Sequence, residues 1–223
     1  MIRQIVTSLH PAWSFGRRGV IEDRSTSLRR FDMQRRITML HTHRAVVING
    51  GAADVVVVVE DREEIEVVLD YRGRGLTRVP DRAFLFPDAY ADTVEGRHRR
   101  GLSRIKIINV RLPLSVSQMD ATSRGTITVT GPSNWVHLDG RKGITIEELT
   151  FGALNTRSGP IDVGRAAGKV HLYTHGGNAS VRADNPTELL ISTGGGDVEV
   201  SGQWKEDALD IREEGGKVTF RRG

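Results

Sequence analysis

The chain has 223 residues, 38% of them hydrophobic and 27% charged, which is the balance of a folded soluble protein with room for one good-sized core. It has no cysteine, so disulfides, thiolate catalysis and Cys-ligated metal sites are excluded. Its net charge of +4 is concentrated at the front, where residues 1–44 carry nine arginines against Glu22, Asp23 and Asp32, whereas residues 111–223 are close to neutral. A basic front can face nucleic acid, an anionic membrane or an acidic polymer, and it can equally be a solvated surface.

The start, MIRQIVTSLHPAW, places a histidine and a proline where a signal peptide needs a continuous apolar core, so the sequence predicts no classical export signal and, on that ground alone, a cytoplasmic chain. No apolar run approaches the roughly 20 residues of a membrane-spanning helix, so no transmembrane segment is expected. Residues 1–44 are read as a basic segment, irregular apart from a short strand over Ile2 to Leu9, that could cap the body of the fold. The β-branched stretch from Ile37 is extended and runs to the turn Asn49-Gly50-Gly51. His41 and His43 would share one strand face, a metal-compatible placement with no third ligand in view, so neither a metal nor any cofactor is expected.

Val55 to Val59 and Ile65 to Leu69 read as two strands split by a charged turn, the first buried on both faces and the second wet at Glu66 and Asp70. Residues 72–104 are the least regular part, a long loop with a short helix allowed around Ala89 to Val94. Within it Arg97, His98, Arg99 and Arg100 form a basic cluster that is either an anion-binding excursion or a solvated insertion. Alternation resumes at IKIINV, where Ile105 and Ile107 point inward.

From Met119 to Phe220 one phrase recurs. Apolar pairs spaced two apart stand at Ile127/Val129, Ile144/Ile146, Ile161/Val163, Ala179/Val181, Val198/Val200 and Val218/Phe220, their first members 17, 17, 18, 19 and 20 residues apart. A glycine precedes each pair: Gly125, Gly143, Gly159, Gly177, Gly196 and Gly216. Leu154, Leu172, Ile191 and Ile211 lie seven residues before the pairs they serve. Period-two alternation means strands with one dry face, and so short a strand buries that face only by stacking on its neighbours. The fold class is therefore all-β, a parallel β-solenoid of about 17–20 residues per coil, continuous over residues 45–223. The bend glycine is expected to supply a positive φ, and connectors such as GRAAG, ADNPT and GQWKED to form loops on one edge.

Stacking turns each coil position into a surface row. One outward row is Thr128, Thr145, Asp162, Ser180, Glu199 and Thr219. A second, leading into the bends, is Arg124, then Arg141 and Lys142, Arg157 and His175; Gly194, Gly195 and the pair Glu213-Glu214 interrupt it. Cations about 4.8 Å apart repel one another, which points to an anionic polymer or an acidic protein partner, although charged turns also serve solubility alone.

The phrases LNTRSGPIDV from Leu154, LISTGGGDVEVSG from Leu190 and VVINGGAADVVVVV from Val46 resemble the bacterial "putative adhesin" family DUF4097 and its head-domain relatives, over roughly residues 45–220. The resemblance implies a parallel β-solenoid of the bacterial cell envelope, in some members tied to envelope stress, with no catalytic residues.

Three functional classes compete. A β-helix carbohydrate-active enzyme needs converging acids; Asp162 and Glu199 are two rungs apart with hydroxyl residues about them, and neither a phosphate loop nor HExxH is present. A homo-oligomeric scaffold is open side by side, while Glu213, Glu214, Arg221 and Arg222 disfavour end-to-end growth. Nucleic-acid binding lacks a recognition motif, and aromatics are only 5%. The sequence therefore favours a noncatalytic binding or scaffold protein.

Overall fold

The computed structural model describes residues 30–40, 44–74, 82–87, 91–97 and 103–223. It is a parallel β-solenoid in which two strand-built faces share one core. On face one, Ile108, Val55, Ile127, Ile144, Ile161, Ala179, Val198 and Val218 stand in register on successive rungs. On face two the matching ladder is Val94, Ile48, Ala121, Leu138, Leu154, Leu172, Ile191 and Ile211. All but the last-coil members Val218 and Ile211 are buried. Each fully buried aliphatic side chain contributes about 1.5–3 kcal/mol, which no single coil could gather alone.

Coils follow chain order from strand β8 (Gln118–Ser123) onward. The long strands β9 (Thr126–Gly140), β10 (Gly143–Thr156) and β11 (Ile161–Thr174) each cover face one, turn the corner through a register shift and continue on face two. The connector GRAAG is thus part of a strand. ADNPT does break the ladder, between β12 (Ala179–Asp184) and β13 (Glu188–Thr193). GQWKED does so between β14 (Val198–Gln203) and β15 (Leu209–Glu213), through a three-residue 3-10 turn at Glu206–Ala208. Strand β16 (Val218–Arg222) completes face one.

The front of the solenoid departs from chain order. Strands β2 (Ala45–Asn49) and β3 (Asp54–Glu60) form the coil next to β8 and β9. Strands β6 (Asp92–Arg97) and β7 (Ser103–Pro113) form the coil outside it. The two strands read from the valine run and Ile65 to Leu69 are therefore not partners: β7 lies between β3 and β4 (Glu64–Arg74). Antiparallel strands finish this end, β1 (Arg30–Leu40) on β4 and β5 (Arg82–Pro87) on β6. Residues 92–94, at the end of the allowed helix, belong to β6, where Val94 pairs with Ile48 and is buried. The strand expected over Ile2 to Leu9 lies outside the described residues, as do His41 and His43.

Local readings shift for the same reason, that pairing outranks pattern. Val55, Val57 and Val59 are buried but Val56 and Val58 only half so, because they look outward. A register shift in the β4–β7 pairing puts Ile108 inward, leaving Ile107 half-buried on the other side. Glu66 is not wet: it is 6% exposed, held by Arg36 at 2.7 Å, Arg62 at 3.3 Å and Arg111 at 3.8 Å. Arg36 comes from β1, so this clasp ties the outermost strand to β4.

The bend glycines correct the expected cause. Gly125, Gly159, Gly177, Gly196 and Gly216 do not have positive φ. They are confined by the coil beneath: a Cβ on Gly196 would stand 2.5 Å from the carbonyl carbon of Gly177, with its oxygen nearer still. Positive φ belongs instead to the residue before, Gly176, Gly195 and Gly215, and among the bend glycines to Gly143. Buried threonines complete the turn. The hydroxyls of Thr156, Thr174 and Thr193 donate to the carbonyls of Gly159, Gly177 and Gly196 at 2.7, 2.5 and 2.9 Å.

Candidate binding ridge

Each turn leaves face two, crosses one edge and begins face one, so residues just after the buried Thr or its equivalent are forced onto the edge. Backbone hydrogen bonds fix the alignment: Arg141 N–H donates to Ser123 O, His175 N–H to Thr156 O, Gly194 N–H to Thr174 O and Glu214 N–H to Thr193 O. Arg124, Arg141, Arg157 and His175 therefore occupy one row on four successive rungs, with Lys142 one residue further on. All five are exposed. Among the described residues none of their side chains makes an ion pair, whereas Arg62, Arg111, Arg165, Arg212, Arg221 and Arg222 each meet a carboxylate. The row ends where the sequence says, at Gly194 and then Glu214.

Guanidiniums on rungs about 4.8 Å apart form a linear cationic edge. Each presents a planar fork of donors suited to carboxylate, sulfate or phosphate. Of the second basic cluster, Arg97 ends β6, and His98, Arg99 and Arg100 lie outside the described residues.

The outward row of face one is in register as read, Thr128, Thr145, Asp162, Ser180, Glu199 and Thr219. Glu199 is paired with Arg221 at 3.1 Å, and Ser180 separates it from Asp162. Along the same edge Asp54, Asn178 and Asp197 each accept the backbone N–H of a residue on the next rung, Thr126, Asp197 and Lys217, at 2.8, 3.0 and 2.9 Å. These side chains finish the ladder instead of doing chemistry. Among the described residues no three His, Asp or Glu gather as a metal site, and no helix is long and apolar enough to cross a membrane.

A groove of about 670 Å³ lies at the opposite corner, lined by Glu147, Glu148, Gly164, Arg165, Asp184 and Gln203 among others. Arg182 lines it too and meets no carboxylate among the described residues, but the groove's other charged side chains are engaged. Arg165 meets Asp184 at 2.5 Å and Glu148 at 3.8 Å, and the bond to Asp184 raises the guanidinium pKa above its ordinary value. Glu147 accepts the Gly131 N–H at 2.8 Å.

Sequence reasoning missed the outer surface of face two. Trp135, Phe151 and Tyr173 are 57%, 37% and 37% exposed there, alternating with buried Val136, Leu154 and Leu172. The signal was present: each aromatic sits on the wet parity of its strand. His137 and His171 lie among them, bonded to Asp120 at 2.9 Å and Glu188 at 2.6 Å.

No family model matches the chain, and no curated protein matches it. Solved structures do. One described as a "putative adhesin" from Bacteroides fragilis is 9% identical, with a TM-score of 0.49 over 86% of this chain and 97% of its own. A "putative lipid binding protein" from Parabacteroides distasonis is 11% identical at 0.43, over 85% and 96%. Another "putative adhesin", from Parabacteroides merdae, is 14% identical at 0.38, over 85% and 95%. Likenesses at this level decide nothing about ligand or activity, and the fold rests on the strand register itself.

Proposed function

We propose that this is a noncatalytic β-solenoid binding protein of the bacterial cell envelope, adhesin-like in the manner of DUF4097, whose basic ridge engages an anionic polymer or an acidic protein. The observation that carries the reading is the row Arg124, Arg141, Arg157 and His175, with Lys142 beside it: exposed, on consecutive rungs and without ion pairs. Three guanidiniums in line, with the Lys142 ammonium beside them, cost stability by mutual repulsion, and an anionic partner relieves that cost. Noncatalysis fits the outward row of face one, where hydroxyls predominate and Glu199 is already neutralised by Arg221. The envelope setting rests on the phrase resemblance. A side-by-side homo-oligomer is compatible with this role.

The test is retention of the full chain on an immobilised acidic polysaccharide, on DNA and on anionic vesicles across a salt series. Replacing Arg124, Arg141 and Arg157 together by serine is expected to lower the eluting salt concentration on at least one support. Unchanged elution on all three overturns the ridge.

A further inference from the structure

The exposed aromatics of face two lie on the same three coils as the ridge, Trp135 and Phe151 toward the far corner and Tyr173 next to the cationic row. Strand register puts Phe151 directly beside Trp135, and the next rung carries Lys169, His171 and Tyr173 outward. The Phe151 ring lies against Gly168, whose added Cβ would stand 3.0 Å from ring atom Cε1, so the glycine leaves room for the ring. Tyr173 meets His171 edge to face, centroids 6.3 Å apart. Tyr173 is two residues from His175, about 6–7 Å, whereas Trp135 and Phe151 are each six residues from Arg141 and Arg157, about 20 Å along their strands, with His137, Asp139 and Asn155 on the outward surface between. Hydrogen-bonding side chains stand near the rings: Gln118, Asp139 and Ser192 have no side-chain partner among the described residues.

Contiguous exposed apolar surface rimmed by polar residues, as at the adjacent Trp135 and Phe151, marks contact sites. A protein interface would want a centre depleted of charge, yet Asp120, Asp139, Lys169 and Glu188 are interspersed here. A nucleic acid carries a phosphate on every residue and would be repelled by Asp139, Asp120 and Glu188. A sugar ring suits the mixture. Its C–H face stacks on an aromatic, its hydroxyls donate to carboxylates and amides, and its sparse acidic groups reach the arginines at the border.

Extending the ridge reading to a chemical class, and resting on it, we propose that the outer surface of face two binds an acidic polysaccharide. Its rings lie on Trp135, Phe151 and Tyr173, and its acid groups lie on Arg124, Arg141 and Arg157.

The experiment titrates the full chain with hyaluronate and xanthan, whose carboxylates are separated by neutral sugars, with a neutral β-glucan and with single-stranded poly(dT), at low and at high salt, followed by calorimetry. The Trp135→Ala/Phe151→Ala double variant, checked for an unchanged melting temperature, is run beside the triple arginine-to-serine variant. Binding of hyaluronate or xanthan is expected, weakened at least tenfold by the aromatic variant at both salt concentrations. The arginine variant is expected to weaken binding chiefly at low salt. If arginine loss abolishes binding and aromatic loss leaves it unchanged, this proposal fails and the ridge stands. Equally tight binding of the neutral glucan overturns the acidic assignment, and poly(dT) binding that depends on Trp135 overturns it in favour of nucleic acid. No binding of either acidic polysaccharide overturns it outright.

Discussion

Two adjacent glycines in one turn are required for different reasons, and substitution separates them. Gly196 needs space: a Cβ there would lie 2.5 Å from the Gly177 carbonyl carbon and 3.0 Å from Asn178 N. Ordinary carbon–carbon contact begins near 3.5 Å, so Gly196→Ala must push the rungs about 1 Å apart locally. Three hydrogen bonds span that opening or close the turn: Ala179 N–H to Asp197 O at 2.9 Å, Asp197 N–H to Asn178 Oδ1 at 3.0 Å, and Thr193 Oγ1 to Gly196 O at 2.9 Å. Losing one or two of them at about 1 kcal/mol each, together with about 1–3 kcal/mol of overpacking, gives a loss of roughly 2–5 kcal/mol. Gly195 instead needs conformation: its φ is 99°, and an added Cβ meets only Glu214 O at 3.4 Å. Gly195→Ala should cost about 1–3 kcal/mol through backbone strain. Asparagine distinguishes the two causes, because it tolerates positive φ but occupies more space than alanine. Urea unfolding followed by circular dichroism should therefore show Gly195→Asn milder than Gly195→Ala, and Gly196→Asn at least as damaging as Gly196→Ala. Partial rescue by asparagine at 196 would refute the account of the bend as a close approach.

Thr174→Val keeps shape but removes the hydroxyl that donates to Gly177 O, and it should cost about 1–3 kcal/mol in the same assay because the carbonyl stays buried without its partner. Glu66→Ala leaves Arg36, Arg62 and Arg111 facing one another, and it should raise limited-proteolysis cleavage near β1 while the coils from β8 onward stay protected from hydrogen exchange. Hydrogen bonds from Lys169 and then His171 hold the Glu188 carboxyl below its ordinary pKa. These bonds therefore support the fold above the unfolded carboxylate pKa, and the support is lost as pH falls through the lower folded value. Compared with Glu188→Gln, the wild type should hold a small, salt-sensitive advantage in melting temperature at neutral pH that closes on acidification.

The coils were legible because their information is local and repeated. Ile127 through Val218 and Leu154 through Ile211 align by their spacing, and the register joins the same residues. The cationic row followed from that alignment. What could not be read is pairing between coils that are not neighbours in sequence. Nothing in the valine run says that β7, some fifty residues later, will lie between β3 and β4. Glu66 looked wet because two of its three arginine partners, Arg36 and Arg111, come from elsewhere in the chain. The aromatics were hidden differently: Trp135 and Phe151 share a column that the next coil continues with Lys169, and Tyr173 falls in another, so no repeated phrase advertises them.

That difference bears on where selection for binding can act in such a molecule. Inward positions are tied to the ladder, and the bend glycines and buried threonines are tied to the rung below, so few coil positions are free to vary. The free ones are the outward rows and the edge. Both distinctive surfaces occupy the same stretch of the axis: the aromatic band lies on β9, β10 and β11, and the ridge on the turns around them. Both stop together. The next coil offers Glu188, Leu190 and Ser192 outward with Gly194 at the edge, and the last offers Asp210 and Arg212 with Glu214. Arg212 is tied to its own Asp210 at 2.7 Å. A solubility pattern would have no reason to end at the same coil on two separate rows, whereas a single elongated ligand spanning the middle coils would impose that shared limit.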